Sequence, residues 1–178
     1  MSTCGSENHE SRHHRAARTV GVRRLRFGRA VTLSLQEVSD RLEIQDLIAR
    51  YSYALDSRDY DALDDLFTPD AVLDYTATGA IKGSLTEMKE FVANAFTMFA
   101  GTQHLTTQTM LTFADDGNTA HGKSTCHNPM VFGGDLKPKM MIVGLWYVDT
   151  FVRTPDGWKF KERVEELLYN TTVEKVRS

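Results

Sequence analysis

The 178-residue sequence is poor in cysteine and lacks long apolar runs, and each shortage excludes a class of protein. It has two cysteines, Cys4 and Cys126, so no disulfide framework is expected and the thiols fit a reducing, cytoplasmic compartment. No window of about 18 apolar residues occurs along the chain. We therefore expect a protein that neither spans nor binds a membrane.

The common cofactor and nucleophile motifs are also missing. The sequence contains no G-x-G-x-x-G, P-loop, G-x-S-x-G or C-x-x-C, which leaves nucleotide, serine-hydrolase and dithiol chemistry without support. Its six histidines do not place two or three metal ligands on one face of a predicted element. The sequence thus predicts neither a metal site nor a cofactor.

Charge of either sign is moderate overall but unevenly distributed. The net charge is −3, which makes nucleic acid an unexpected partner. Residues 1–34 carry seven Arg against Glu7 and Glu10, a balance of +5, and the remainder carries −8. We predict a disordered basic tail over 1–34 and one domain over 35–178. An organelle transit peptide or a nucleic-acid-binding arm are the open alternatives for the tail.

Helix signals dominate the first half of the domain. The S-L-Q-E sequence at Ser34 predicts a capped helix that runs to about Leu55, because its apolar residues recur every three or four positions. A second short helix is predicted over about 59–67 and a third from Ser84, where S-L-T-E repeats the capping signature. A strand, A-V-L-D-Y-T, separates them.

Strand signals dominate the second half. Four segments, about 102–114, 118–133, 139–153 and 157–171, are separated by turn sequences. Helices followed by a meander of strands predict an α+β fold. The third of these strands is apolar on both faces, so one face is expected to pack on the helices and the other on a second subunit. We predict a homo-oligomer, most simply a dimer.

The stretch G-T-Q-H-L-T-T-Q-T-M-L-T-F, 101–113, is expected to be one strand with a polar face. Its even positions include His104 and Gln108. Alternation places further polar side chains on the same concave wall, where a small hydrophobic molecule would bind. They are Ser124, Asn128, Tyr147 and Asp149. Asp149 is also placed to pair with Arg163 or Arg153. His121 and His127 fall on the opposite face of their strand. The E-E pair at 165–166 is expected to be a solvated edge.

Several segments in this order resemble the SnoaL-like branch of the nuclear transport factor 2-like superfamily. They are R-L-E-I-Q-D-L-I-A-R-Y-S-Y-A-L-D-S-R-D-Y, then T-Q-H, then D-G-N-T-A-H-G, and then Y-V-D-T-F-V-R-T-P-D-G-W-K-F. The resemblance covers about residues 35–170. It implies a cone-shaped α+β barrel in which N-terminal helices pack inside a bent, mostly antiparallel sheet.

The resemblance also implies catalytic residues. The enzymes most similar in these segments are scytalone dehydratase, the bile-acid dehydratase and hexachlorocyclohexane dehydrochlorinase. By this similarity Asp56 would orient His104, which would remove a proton, and Tyr51 and Tyr75 would match active-site tyrosines. Ser124 stands where scytalone dehydratase has a second catalytic histidine. From the residues alone, a structural wall residue remains an alternative for His104, and a helix end or the cap of the next helix remains one for Asp56.

The chemistry of these residue types is consistent with an elimination. An unperturbed imidazole titrates near pH 6.5 and can accept and return a proton at neutral pH, while a carboxylate on its other nitrogen fixes the tautomer. The expected activity is that of a cofactor-independent lyase or isomerase acting on a hydrophobic cyclic or polyketide-like molecule. A polyketide cyclase, or a non-catalytic binding or accessory subunit, are the alternatives.

Overall fold

The computed structural model describes residues 32–134 and 139–174. The predicted basic tail therefore lies outside the described residues, apart from its last three positions. Two α-helices accompany one curved, unclosed sheet of seven strands. The predicted α+β class is confirmed, and the sheet is open instead of closing into a barrel.

The first helix, α1, is Leu35–Ser57. The Ser34 hydroxyl accepts a hydrogen bond from the Glu37 backbone N–H at 3.1 Å and begins the helix, as the sequence predicted. The helix ends at Ser57, and the capping residue Arg58 has a left-handed backbone (φ 64°) and donates its N–H to the carbonyls of Ala54 and Leu55. This break leaves Asp56 in the final turn. The apolar stripe is buried and consists of Ile44, Leu47, Ile48, Tyr51 and Leu55.

The prediction of a second helix over about 59–67 is wrong, because Asp61–Asp65 forms only a 3₁₀ turn. The chain leaves α1 at Arg58 and enters a strand at Phe67, so the connection is too short for a second amphipathic helix. The third predicted helix is α2, Leu85–Ala95, and its Ser84–Glu87 capping box is present. Another 3₁₀ turn, Phe96–Met98, follows α2 directly.

The seven strands are β1 Phe67–Asp74, β2 Lys82–Ser84, β3 Phe99–Thr102, β4 Leu105–Phe113, β5 Thr119–Phe132, β6 Lys139–Thr154 and β7 Gly157–Glu174. Their order in the sheet is β2-β1-β7-β6-β5-β3, and β4 also pairs with β5. All pairs are antiparallel except β1 with β7, which is parallel. The last three predicted strands are confirmed within a few residues.

The segment 101–113 is not one strand, which corrects the expected face pattern. β3 ends at Thr102 and β4 begins at Leu105, so His104 lies at the junction. Within β4 the register shifts between Thr107 and Met110, and Gln108 has a φ of 47°. This bulge reverses the alternation and leaves Gln108 exposed.

A second bulge changes the faces of β7. Phe160 pairs with Phe151 and Glu162 with Thr150, so Lys161 is an extra residue on β7. Trp158 and Phe160 point inward before the bulge, and Arg163 and Glu165 point inward after it. The expectation that Glu165 is solvated is wrong, whereas Glu166 is exposed.

Candidate active site

A cavity of about 220 Å³ lies between the helices and the inner face of the sheet. Much of its wall is apolar and includes Phe91, Val92, Phe96, Phe99, Met130 and Met141. The polar side chains in the wall are few: Tyr51, Tyr75, Thr78, His104, Asn128, Tyr147 and Glu165. An apolar cavity with a few convergent polar groups is typical of a small-molecule site.

His104 and Asp56 form a hydrogen-bonded pair at one end of this cavity. Nδ1 of His104 lies 2.6 Å from Oδ1 of Asp56, and the His104 backbone N–H donates to Oδ2 at 2.8 Å. The junction between β3 and β4 places both groups of His104 against the last turn of α1. The His104 residue is only 7% exposed, so its ring is held in one orientation.

Asp56 is set up to remain ionised. Burial raises its pKa. The hydrogen bond and charge of the His104 imidazole, together with the His104 backbone N–H and the Thr102 hydroxyl, lower the pKa by more than burial raises it. The pKa of Asp56 consequently lies below its ordinary value. An ionised carboxylate on Nδ1 favours the tautomer with hydrogen on Nδ1 and directs the basic Nε2 away from it.

Asn128 contacts the other nitrogen of the ring. Its Nδ2 lies 2.9 Å from Nε2 of His104, as expected for an amide N–H donating to an unprotonated nitrogen. Within the described part of the chain, Oδ1 of Asn128 is buried without a hydrogen-bond partner. Rotation of the amide by 180° would bring Oδ1 to an Nε2–H, so Asn128 can serve both protonation states of the ring.

A second set of contacts positions the pair. The Arg58 guanidinium donates to the Thr102 hydroxyl at 2.8 Å, and that hydroxyl donates to Oδ1 of Asp56 at 2.9 Å. The same guanidinium lies 4.7 Å from the ring centroid of Phe96, and Phe96 stacks on His104 at 6.2 Å. The carboxylate and the imidazole are thus each fixed from two sides.

Two tyrosine hydroxyls meet in the cavity wall. Tyr51, on α1, and Tyr75, just after β1, have their hydroxyl oxygens 2.6 Å apart. Burial raises the pKa of Tyr51 to about 12, and burial raises the pKa of Tyr75 well above its ordinary value. Both groups are therefore neutral hydrogen-bond donors at physiological pH. One donates to the other, which leaves the second proton for a ligand oxygen.

Arg163 lies behind the tyrosines. Its guanidinium carbon is 4.1 Å from the ring centroids of Tyr51 and Tyr147, and its Nε donates to Asp149 at 2.7 Å. Burial lowers the pKa of Arg163, and the adjacent Asp149 carboxylate more than reverses this. The cation therefore persists and supports the aromatic wall by cation–π contacts.

Not every predicted site residue reaches the cavity. Tyr51, Tyr75, His104, Asn128 and Tyr147 line it, with Asp56 directly behind His104. The expectation that Gln108, Ser124 and Asp149 also line the cavity wall is wrong. The bulge in β4 exposes Gln108. The Ser124 hydroxyl is buried and lies 2.9 Å from the Thr109 hydroxyl. Both carboxylate oxygens of Asp149 accept hydrogen bonds from Arg163.

Glu165 and Thr78 also line the cavity, and neither is predicted as a site residue from the sequence. The β7 bulge places Glu165 on the inner face of the sheet, and strand alternation in the sequence does not predict this bulge. Burial raises the pKa of Glu165 to about 7.

Among residues 32–134 and 139–174, no three His, Cys, Asp or Glu side chains are placed to hold a metal ion, and no helix there is long and apolar enough to cross a membrane.

Comparison with known proteins places the chain in a family. The family model for the SnoaL-like domain matches residues 36–164. A protein of Mycobacterium tuberculosis, described as uncharacterized, is 46% identical over 133 residues, which are 75% of this chain and 88% of that protein.

Solved structures extend the likeness to the fold. Hexachlorocyclohexane dehydrochlorinase of Novosphingobium barchaimii superposes with a TM-score of 0.70 at 18% identity, over 81% of this chain and 99% of that one. A candidate scytalone dehydratase of Novosphingobium aromaticivorans gives 0.68 at 24% identity, over 80% and 93%. A nuclear transport factor 2-like superfamily protein of Salmonella enterica gives 0.64 at 16%, over 75% and 94%.

These identities are low, so the structural likeness shows a shared fold alone. The family match is a separate finding, since it covers well over half of the chain. On that match the chain belongs to the SnoaL-like domain family, and its fold is that of the nuclear transport factor 2-like superfamily.

Proposed function

We propose that the protein is a cofactor-independent lyase or isomerase in which the Asp56–His104 pair removes a proton from a carbon beside a carbonyl group. The ligand is a hydrophobic cyclic or polyketide-like molecule. The observation that carries the proposal is the 2.6 Å contact between His104 Nδ1 and Asp56 Oδ1 at the wall of an apolar cavity. Structural neighbours named as a dehydrochlorinase and a candidate dehydratase support the same reaction class.

The first step would be transfer of the carbon-bound proton to Nε2 of His104. Its electron pair moves toward the carbonyl oxygen and forms an enolate, while Asp56 stabilises the imidazolium. Asn128 must yield Nε2 to the ligand in this step and can rotate to accept the new Nε2–H. Such a positioned base contributes about 10²–10⁴-fold to the rate.

The tyrosine pair would act on the oxygen atoms of the ligand. A Tyr51 or Tyr75 O–H can donate to the carbonyl oxygen on which negative charge develops. In an elimination the enolate then expels hydroxide, which leaves as water after taking a proton from a tyrosine or from the imidazolium. In an isomerisation the imidazolium returns its proton to another carbon.

A suitable test uses 3-hydroxy-1-tetralone, a bicyclic ketone. Loss of the C2 proton and the C3 hydroxyl as water gives, after tautomerisation, 1-naphthol, which is followed by fluorescence. We expect turnover by the wild-type protein and none by His104→Ala. His121→Ala is the matched control, since His121 is exposed on the outer face of β5. Equal activity of His104→Ala and His121→Ala would refute the proposal.

A non-catalytic ligand-binding module is the second candidate. The observation that favours it is the Asn128 contact, since Nδ2 occupies the nitrogen that a base would use. In that case the cavity would bind 1-tetralone with the same affinity in wild type and His104→Ala, and neither protein would form 1-naphthol from 3-hydroxy-1-tetralone.

A further inference from the structure

We propose that Glu165 is a ligand-binding residue, whose carboxyl oxygen Oε1 accepts a hydrogen bond from a hydroxyl group carried by a neutral ligand at the end of the cavity away from His104. This inference deepens the proposed function and rests on it only for the location of the ligand. It assigns the ligand a hydroxyl group at a second position, distant from the carbon that loses its proton.

Strand register places Glu165 far from His104. Asn128, which contacts His104, pairs with Val143 across β5 and β6. Glu165 pairs with Tyr147 across β6 and β7, four residues farther along β6. The two positions are therefore separated by two strand spacings, about 10 Å, and by four residues of strand, about 13 Å. Both side chains line the same cavity, which thus has two polar ends.

The hydrogen bonds around Glu165 indicate a protonated carboxyl group. Its Oε2 lies 2.5 Å from the Thr78 hydroxyl, and that hydroxyl lies 2.9 Å from the backbone carbonyl of Tyr75. One hydroxyl hydrogen cannot serve two acceptors fully. If Oε2 carries a proton, it donates to Thr78, which in turn donates to Tyr75. The pKa of about 7 that burial gives Glu165 agrees with this chain.

This arrangement leaves the second carboxyl oxygen for the ligand. Glu165 is 8% exposed, and its hydrogen bond to the Thr78 hydroxyl is made by Oε2 and not by Oε1. Oε1 is not one of the enclosed polar atoms that lack a partner, and Glu165 lines the cavity, so a ligand that displaces water from Oε1 must replace its hydrogen bond. A hydroxyl group on the ligand would restore that bond, whereas an ether or a ketone oxygen has no hydrogen to donate.

The charges that face Glu165 favour a neutral ligand. Arg163 on β7 is the nearest cation, but Asp149 on β6 holds its Nε and Nη2 in a bidentate pair. The other titratable groups that interact with Glu165 come from α1, the residue after β1, β5 and β6. They are Tyr51, Tyr75, Cys126 and Tyr147, and burial raises the pKa of each, so all four are neutral. A ligand carboxylate at this end would lie beside Glu165 without a cation of its own.

The test compares 2-naphthol with 2-methoxynaphthalene, which share the same rings and differ in the hydroxyl hydrogen. At pH 6, isothermal titration calorimetry should show about tenfold tighter binding of 2-naphthol to the wild type. Glu165→Gln should keep this preference, because its amide N–H can replace the carboxyl O–H and its oxygen still accepts. Glu165→Met, of similar length, should lose it.

The proposal is overturned if the wild type binds both probes equally, or if Glu165→Met keeps the preference. Infrared difference spectroscopy covers the case in which Glu165→Met does not fold. Addition of 2-naphthol should shift the carbonyl band of a protonated carboxyl group to lower frequency in the wild type and not in Glu165→Gln, and a spectrum without this shift would also overturn it.

These binding measurements separate the two proposals when they are repeated on His104→Ala. A retained 2-naphthol preference together with no 1-naphthol formation by the wild type would reject the catalytic function and support the role of Glu165. Turnover that depends on His104, together with equal binding of the two probes, would do the reverse.

Discussion

Asn128 and Asp56 lie on opposite nitrogens of the same ring, with Nδ2 of Asn128 2.9 Å from Nε2 of His104. The group on Nε2 therefore decides whether the ring can take a proton from a ligand. The neutral amide of Asn128 donates to the lone pair of Nε2 and places no charge beside the ring.

Asn128→Asp tests this relationship. A second carboxylate beside the ring would favour the protonated imidazolium, since an opposite charge at this distance shifts such an equilibrium by about 1–3 pH units. We expect the basic form of the enzyme to be reached at higher pH, so that 1-naphthol formation at pH 7 falls at least about tenfold and recovers as the pH rises. Asn128→Ala, which adds no charge, should not shift the profile upward. Coincident profiles for wild type and Asn128→Asp would contradict Nε2 as the base.

Asp56→Asn should impair turnover while preserving the fold. The variant loses the charge that stabilises the imidazolium, so we expect kcat to fall about 10²–10⁴-fold. The lowered pKa of Asp56 in the folded state means that its ionised form stabilises the protein above the unfolded-state pKa, and that this contribution is lost as the pH falls through the folded-state pKa. Thermal scans should show a wild-type advantage at pH 7 that narrows below about pH 4. An advantage that is constant with pH would argue against the ionised pair.

Glu165 should make the folded protein less stable as the pH rises. Its pKa is raised from 4.5 to about 7, so the folded state holds this proton over a range in which the unfolded state has lost it. The stabilising effect of the proton is complete below pH 4.5 and disappears through pH 7. Glu165→Gln cannot titrate, and its stability relative to wild type should increase by about 2–3 kcal/mol between pH 5 and pH 8. Denaturant titrations with parallel pH dependence in both proteins would contradict a protonated Glu165.

Much of the fold could be predicted because its signals are local. Ser34 and Ser84 begin helices by side-chain capping, and the turn sequences between β5, β6 and β7 limit the strands. The failures come from backbone irregularities. The break at His104, the positive φ of Gln108 and the extra residue Lys161 each reverse or interrupt an alternation, and no local residue preference marks them.

The candidate site shows the same division. Resemblance to a family gave Asp56 and His104, which the structure brings together, and strand alternation gave Asn128 and Tyr147. Alternation also predicted Gln108, which the β4 bulge leaves exposed. It did not predict Glu165, which the β7 bulge places on the inner face of the sheet. A pairing that depends on register between distant strands is set by tertiary packing and not by the local pattern.

The predicted oligomer can be tested at the outer surface of the sheet. Large apolar side chains on β4 and β7 are exposed, among them Met110 at 52% and Leu168 at 58%. Such exposure is typical of an interface. We expect a dimer by light scattering at micromolar concentration, and Leu168→Glu should weaken it, while Glu166→Gln on the same strand should not. A monomeric wild type would contradict this prediction.

The most direct measurement of the central claim is hydrogen exchange at carbon, because it needs no leaving group. 1-Tetralone is incubated with the protein in D₂O, and deuterium at C2 is followed by nuclear magnetic resonance. The wild type should exceed the buffer rate by about 10² or more, while His104→Ala should match the buffer rate and still bind 1-tetralone. Exchange by His104→Ala at the wild-type rate, or no acceleration by the wild type despite bound 1-tetralone, would contradict proton abstraction by His104.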